Sequence, residues 1–163
     1  MAPVVIKLGG SFAFTEVLAD WVRALASCAG GVVVVPGGSG ARREIKNPAT
    51  VRWLTETCAK ASWITSVCTG SFLLVGCGIA HGRRVTTHHN FINALRDQGG
   101  AEVVEGVRFV RDRNVVSAAG VMSGIEMSLF LVGELYGSEV AERTKSYIAY
   151  DFPLRTTSEG IIR

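Results

Sequence analysis

Charge is scarce in this chain, and so are the cysteine and histidine patterns that announce a metal. Only 19% of the 163 residues are Asp, Glu, Lys or Arg, and 17 basic against 14 acidic residues leave a net charge of +3. A charge that small and scattered gives no electrostatic footprint for nucleic acid, even with a sequence pI near 8.8. The four cysteines, Cys28, Cys58, Cys68 and Cys77, include no CxxC pair, which excludes a zinc knuckle and a thioredoxin-like couple. His88 and His89 are adjacent; in a strand they point to opposite faces, so they make no metal pair. Proline is low at 4, and the 19 glycines follow no period, which excludes low complexity. No secretory signal stands at the start, because Lys7 interrupts the apolar run Val4 to Leu8. The expected setting is therefore a reducing cytoplasm with free thiols.

What the chain does have is apolar content, 48% of its residues. That excludes disorder as the main state. The length predicts one domain that buries roughly 68–70% of its unfolded surface without staples. Trp63 to Ala80 carries no charge, yet it holds Thr65, Ser66, Thr69, Ser71 and three glycines. It reads as a buried strand–turn–helix, and no membrane partner is expected.

Strand and helix patterns alternate along the chain. Pro3 to Leu8 and Gly31 to Val35 read as strands, the second with four consecutive valines that suit burial on both faces. Leu18, Trp21, Val22 and Leu25 predict a helix over 15–29. Pro36 to Gly40 reads as a loop, with Arg42, Arg43, Glu44 and Lys46 as its solvated continuation. Asn47-Pro48 predicts a capped helix start, with Val51, Leu54 and Cys58 inward. Strands are expected at 62–67, 84–87, 103–112 and 114–118, and helices at 69–77, 90–98, 123–136 and 138–150. Ile125, Leu129, Val132 and Leu135 form the stripe of the long apolar helix; Phe130 and Leu131 broaden it into a surface that could meet a second copy. Glu126, in the same helix, needs a partner if it is buried. The tail after Pro153 is expected to be loose. The alternation implies an α/β layered fold with a mainly parallel sheet.

The chemistry concentrates at Ser66-Val67-Cys68-Thr69-Gly70. A buried strand ends on a cysteine, a helix follows at once, and small residues stand two before and two after it. This is the pattern of a nucleophile elbow. Helix N-terminal amides favour a thiolate at such a position, and the thiolate is the nucleophile. Gly38, in the loop after the valine strand, and Thr69 are expected to turn backbone N–H groups toward a developing negative charge beside Cys68. His88, at a predicted strand end, is the candidate proton carrier.

Four segments in order resemble the ThiJ/PfpI superfamily: Val35-Pro36-Gly37-Gly38-Ser39-Gly40-Ala41-Arg42, Ser66 to Ser71, Gly82 to His88, and Ser117 to Glu126. Cys-Thr-Gly at the elbow, and the ending Tyr150-Asp151-Phe152-Pro153, resemble its isonitrile hydratase branch and the related sensor domains of AraC-type regulators. The resemblance covers about residues 33–153. It implies a flavodoxin-like three-layer sandwich (class I glutamine amidotransferase-like), a homodimer, a small-molecule substrate, and neither metal nor cofactor. In that branch a thiolate attacks the isonitrile carbon and water completes hydration to an N-substituted formamide. Carried over, Cys68 is the nucleophile, Thr69 stands beside it, and Gly38 donates an N–H. The family places an acid at the end of its first strand; here that strand ends Lys7-Leu8-Gly9-Gly10-Ser11, and Glu16 and Glu44 are the nearest acids by sequence. Residues 1–35 are atypical. Val4 to Ser11, with Val32 to Gly38, resemble the opening of the amino acid kinase superfamily, which implies a graft near Val35-Pro36 and phosphate binding through Lys7 to Ser11. Alternative readings are a redox or small-molecule sensor on the same fold, and an inactive hybrid.

Overall fold

In the computed structural model the described residues are 5–7, as a strand, and 31–153. The predicted helix over 15–29, Gly9 to Ser11, Glu16, Cys28 and the tail 154–163 lie outside them.

Strand β1 (Val5–Lys7) pairs in parallel with β2 (Val32–Val35), Val5 opposite Val32. The chain continues through α1 (Ser39–Glu44) and α2 (Pro48–Cys58) to β3 (Trp63–Val67). A 3-10 turn, Cys68–Gly70, leads into α3 (Ser71–Gly76). Then come β4 (Arg84–Val85), a 3-10 turn His89–Phe91, α4 (Ile92–Gln98), β5 (Glu102–Val103), β6 (Phe109–Asp112), β7 (Val115–Ala118), α5 (Val121–Tyr136) and α6 (Ser138–Tyr147). The main sheet has the order β1-β2-β3-β7-β6, parallel except for the β6–β7 hairpin; β4 and β5 form a small parallel pair.

Alternation along the valine strand feeds two cores. Val33 and Val35 pack with Leu54, Cys58, Leu74, Leu95 and Val115 on one face. Val32 packs with Phe109, Val116, Met127, Phe130 and Leu131 on the other. Helices cover both faces, so the layered α/β architecture is as expected. The uncharged stretch from Trp63 is a strand, a turn and a helix, and no described helix is long and apolar enough to cross a membrane.

Several boundaries differ from expectation. The helix after β2 starts at Ser39, so Arg42 to Glu44 lie on α1 rather than on a loop. The predicted strand 103–112 divides into β5 and β6, interrupted where Gly106 takes a positive φ of 73°. The helix after β3 opens as 3-10 and turns α-helical only at Ser71, because Cys68 is left-handed. Asn47 caps α2 as predicted: its side chain accepts from the Ala49 amide at 3.1 Å, with Pro48 at the first helical position. On α5 the deepest residues are Glu126, Met127 and Leu129 to Leu131, while Ile125 and Val132 are only half-buried. Phe130 and Leu131 face the sheet, 8% and 6% exposed, so they offer no surface to a second copy.

Candidate active site

The carboxyl ends of three parallel strands converge on one crevice. Val35, Ser66 and Ser117 stand opposite one another, so the segments leaving β2, β3 and β7 emerge side by side. Ligands of parallel sheets bind beyond these ends. The residue leaving β3 is Cys68, half-buried, with φ +55°. A side chain in this region is strained by about 1–2 kcal/mol, so the surroundings must hold it there.

They do so in three ways. The Cys68 carbonyl accepts from Thr87 Oγ1 at 3.0 Å and from Ser71 Oγ at 3.1 Å. Gly37 lies against the turn so closely that a Cβ there would stand 2.8 Å from Cys68 Cβ, the Thr69 nitrogen and the Val67 carbonyl oxygen. On the other side, a Cβ on Gly70 would meet the Val35 and Pro36 carbonyl oxygens, the latter at 2.9 Å. The two glycines let the β2 and β3 termini touch.

Thr69, fully buried, joins the same two segments through its side chain. Its Oγ1 accepts from the Gly38 amide at 2.8 Å and donates to the Gly38 carbonyl at 3.2 Å. This corrects the expectation for Gly38: its N–H is spent on Thr69 and is not turned toward a charge at Cys68. A threonine hydroxyl that can close this small ring out-competes an empty crevice for the amide. Arg42 completes the corner, its Nη1 donating to Thr69 Oγ1 at 3.4 Å while its guanidinium lies 4.5 Å from the centre of the Phe91 ring. Stacking on Phe91 offsets part of the cost of half-burying that cation.

A cavity of about 440 Å³ opens beside the elbow. Thr86, Thr87, His88 and His89 form one wall, Glu105 to Val107 a second, and Ala119 to Ser123 a third. Cys68 is not on its wall; Thr87, which holds the Cys68 carbonyl, is. His88 and His89 do not occupy a strand and do not diverge. The strand ends at Val85, and the two rings stack with centroids 4.1 Å apart. His88 Nδ1 accepts from the Asn90 amide at 3.3 Å, so the neutral ring carries its proton on Nε2.

The remaining candidates are placed plainly. Glu44 accepts from Asn47 Nδ2 at 2.8 Å and Thr50 Oγ1 at 2.5 Å, bracing the start of α2 instead of reaching Cys68. Glu126, 3% exposed, pairs with Arg108 at 2.5 Å and accepts from the Tyr150 hydroxyl. Burial pushes the Cys58 thiol up to about 12, with the nearby Cys77 adding to it, and pushes the Cys77 thiol up as well. Neither thiol is suited to nucleophilic work at neutral pH. Sequence reasoning missed Thr87, Ser71 and Gly37. The hydroxyls hold a backbone carbonyl, which no side-chain motif reveals; Gly37 was visible in the Gly-Gly pair, but spacing cannot say which glycine touches the elbow.

Residues 2–134 match the DJ-1/PfpI family. The chain belongs to the DJ-1/PfpI family. The family match takes in the opening strand as well. Isonitrile hydratase of Pseudomonas putida is 34% identical over 119 residues, 73% of this chain and 51% of that protein. The Parkinson disease protein 7 homolog of Danio rerio is 33% identical over 116 residues, 71% of this chain and 61% of that protein. A ThiJ/PfpI family protein of Pseudomonas syringae superposes with a TM-score of 0.69 at 34% identity, covering 78% of this chain and 53% of that one. The fold is thus the family's flavodoxin-like α/β sandwich, and the chain spans between about half and three-fifths of the length of these relatives.

Proposed function

We propose that this domain hydrates isonitriles to N-substituted formamides, with Cys68 as the nucleophile. The observation that carries the reading is the left-handed Cys68 at the end of β3, held by two hydroxyls and two close glycines. Strain maintained that thoroughly presents a side chain to a crevice. The similarity to isonitrile hydratase supports the substrate class.

The steps balance without a cofactor. Cys68 Sγ, as thiolate, forms a bond to the terminal isonitrile carbon, and that carbon takes a proton. Water then adds to the same carbon of the thioimidate. The C–S bond breaks, sulfur leaves as thiolate, and the proton returns to the carrier as the formamide departs. His88, which lines the adjoining cavity, is the carrier in this scheme: as imidazolium it gives its Nε2 proton to the carbon, and Nε2 takes a proton back as sulfur leaves. Thr69 and Gly38 keep the two crossing segments in register, so that Cys68 stays aimed.

The test is turnover of tert-butyl isonitrile to N-tert-butylformamide, followed by proton NMR. The folded Cys68→Ala protein is expected to lose at least a thousandfold in kcat/KM. His88→Gln is expected to lose tenfold or more in kcat/KM. No turnover by the unaltered protein, with Cys68 still oxidising readily under dilute peroxide, would replace the hydratase with a thiol sensor on the same fold.

A further inference from the structure

We infer that Arg42 is a positioning residue: it ties the turn that carries His88 to the elbow that carries Cys68, and so fixes the carrier against the nucleophile. The inference rests on the hydratase reading for what the two groups do; the tie between their segments is geometry alone.

Nucleophile and carrier stand on separate pieces of the fold. Cys68 leaves β3 of the main sheet, whereas His88 follows β4, which belongs to the small β4–β5 pair. Register within the main sheet therefore does not set the distance between them. Two hydrogen bonds grip the turn just before His88. The Thr86 amide donates to Ser117 Oγ at 2.7 Å, and Thr87 Oγ1 donates to the Cys68 carbonyl at 3.0 Å. Neither holds the chain after His88.

Phe91 receives that hold. It ends the 3-10 turn His89–Phe91, its amide donates to the His88 carbonyl at 2.8 Å, and its ring stands 6.3 Å from the His88 ring. Movement of Phe91 therefore carries His88 with it. The Phe91 ring meets Phe72 of α3 edge-on at 6.3 Å, and Arg42 Cζ lies 4.5 Å from its centre. Phe72 holds the ring to the core; Arg42 joins it to the elbow itself. Arg42 Nη1 donates to Thr69 Oγ1 at 3.4 Å, one residue beyond Cys68.

Arginine suits this place for a stated reason. A planar guanidinium lies over a ring while its edge donates a hydrogen bond, which a lysine ammonium does not do in one geometry. Thr69 Oγ1 is a firm post for that bond, because both backbone groups of Gly38 already fix it. Among the described residues the ion pairs lie elsewhere, and no carboxylate pairs with Arg42. A half-buried cation whose partners are a hydroxyl beside the nucleophile and a ring beside the carrier is placed for the link between them, not for a surface salt bridge.

The experiment is a double-mutant cycle in turnover of tert-butyl isonitrile, with a spectroscopic readout beside it. Arg42→Met keeps the apolar stem and removes the guanidinium. It is expected to lower kcat about tenfold and to change KM less than about threefold, since it disturbs the alignment of two groups and not the ligand. In the His88→Gln background the same substitution is expected to cost less than about twofold, because no carrier is left to misplace. Arg42→Lys is expected not to restore kcat. In protein labelled with 13C-histidine, the His88 Hε1–Cε1 resonance is expected to shift in Arg42→Met while that of His81, whose ring lies beside Gly100, stays in place. Equal losses of kcat in both backgrounds, full rescue by lysine, or an unmoved His88 resonance would overturn the inference. Arg42→Gln provides the same readouts if Arg42→Met does not fold. A displaced His88 resonance without isonitrile turnover by the unaltered protein would keep the tie and remove the hydratase reading; turnover with kcat unchanged in Arg42→Met would do the reverse.

Discussion

At the scale of single residues, the three described thiols face different environments, and their chemistry should separate accordingly. Cys58 is 4% exposed and its thiol is pushed up to about 12. In folded protein at pH 8, peptide mapping after brief iodoacetamide treatment should find Cys68 alkylated and Cys58 untouched, with label on Cys77 trailing. Label on Cys58 at the rate of Cys68 would mean that its burial is wrong. The same shift has a consequence for stability. Between its ordinary value of 9.0 and about 12, the Cys58 thiol ionises in the unfolded chain but stays protonated in the folded one. The folded state therefore holds the extra proton, and stability falls as pH rises through that window. Urea midpoints should drop from pH 9 upward, and Cys58→Ala should flatten the decline while lowering the plateau.

Glycine at position 37 is required by contact rather than by φ. A methyl group there would press on the Cys68 Cβ and on the backbone either side of it, all at 2.8 Å. Gly37→Ala should cost about 1–3 kcal/mol in urea unfolding. It should also slow alkylation of Cys68 severalfold, because the turn itself must move. Unchanged stability and reactivity together would contradict the close approach of the two segments.

At the scale of elements, the starts and stops are local chemistry. The α2 cap is one side-chain oxygen on one amide, exposed and independent of the site. Asn47→Ala should lower stability by about 1 kcal/mol and leave turnover alone. The end of α6 is tied differently. Tyr150, beyond it, donates to Glu126 on α5, whose other partner is Arg108 ahead of β6. Tyr150→Phe leaves that buried carboxylate one hydrogen bond short, at a cost of about 1–3 kcal/mol. A variant as stable as the parent in urea would show that the network does not hold these elements together.

These elements also show where the sequence was legible. Four valines and a Pro-Gly-Gly are a doubly buried strand and its exit in any reading, because only a covered parallel sheet rewards such a run. Asn47-Pro48 states its own cap. The division of 103–112 was hidden, because a β-rich pattern does not show that one half pairs with β4 and the other with β7. Phe130 and Leu131 looked spare on a helical wheel, yet the sheet covers them; tertiary packing decides which side of so apolar a helix is inward. Cys68 was legible from Ser66 and Gly70. Gly38 was misread, since the partner that takes its amide, Thr69, lies across a contact that spacing cannot express.

At the scale of the whole molecule, one arrangement carries the account. Three parallel strands end together, two of their exits interlock through Gly37, Gly70 and Thr69, and the third borders a cavity joined to the elbow by Thr87. In the proposed reading, sheet and elbow together present Cys68 to the ligand, with the cavity beside them. The most direct test of that claim is rapid-quench mass spectrometry of the protein mixed with tert-butyl isonitrile, read at the level of peptides. The account predicts that the mass of one isonitrile appears on the peptide carrying Cys68 before formamide is released, and disappears as turnover proceeds. Formamide production with no adduct at Cys68, or at an undiminished rate in Cys68→Ala, would contradict it.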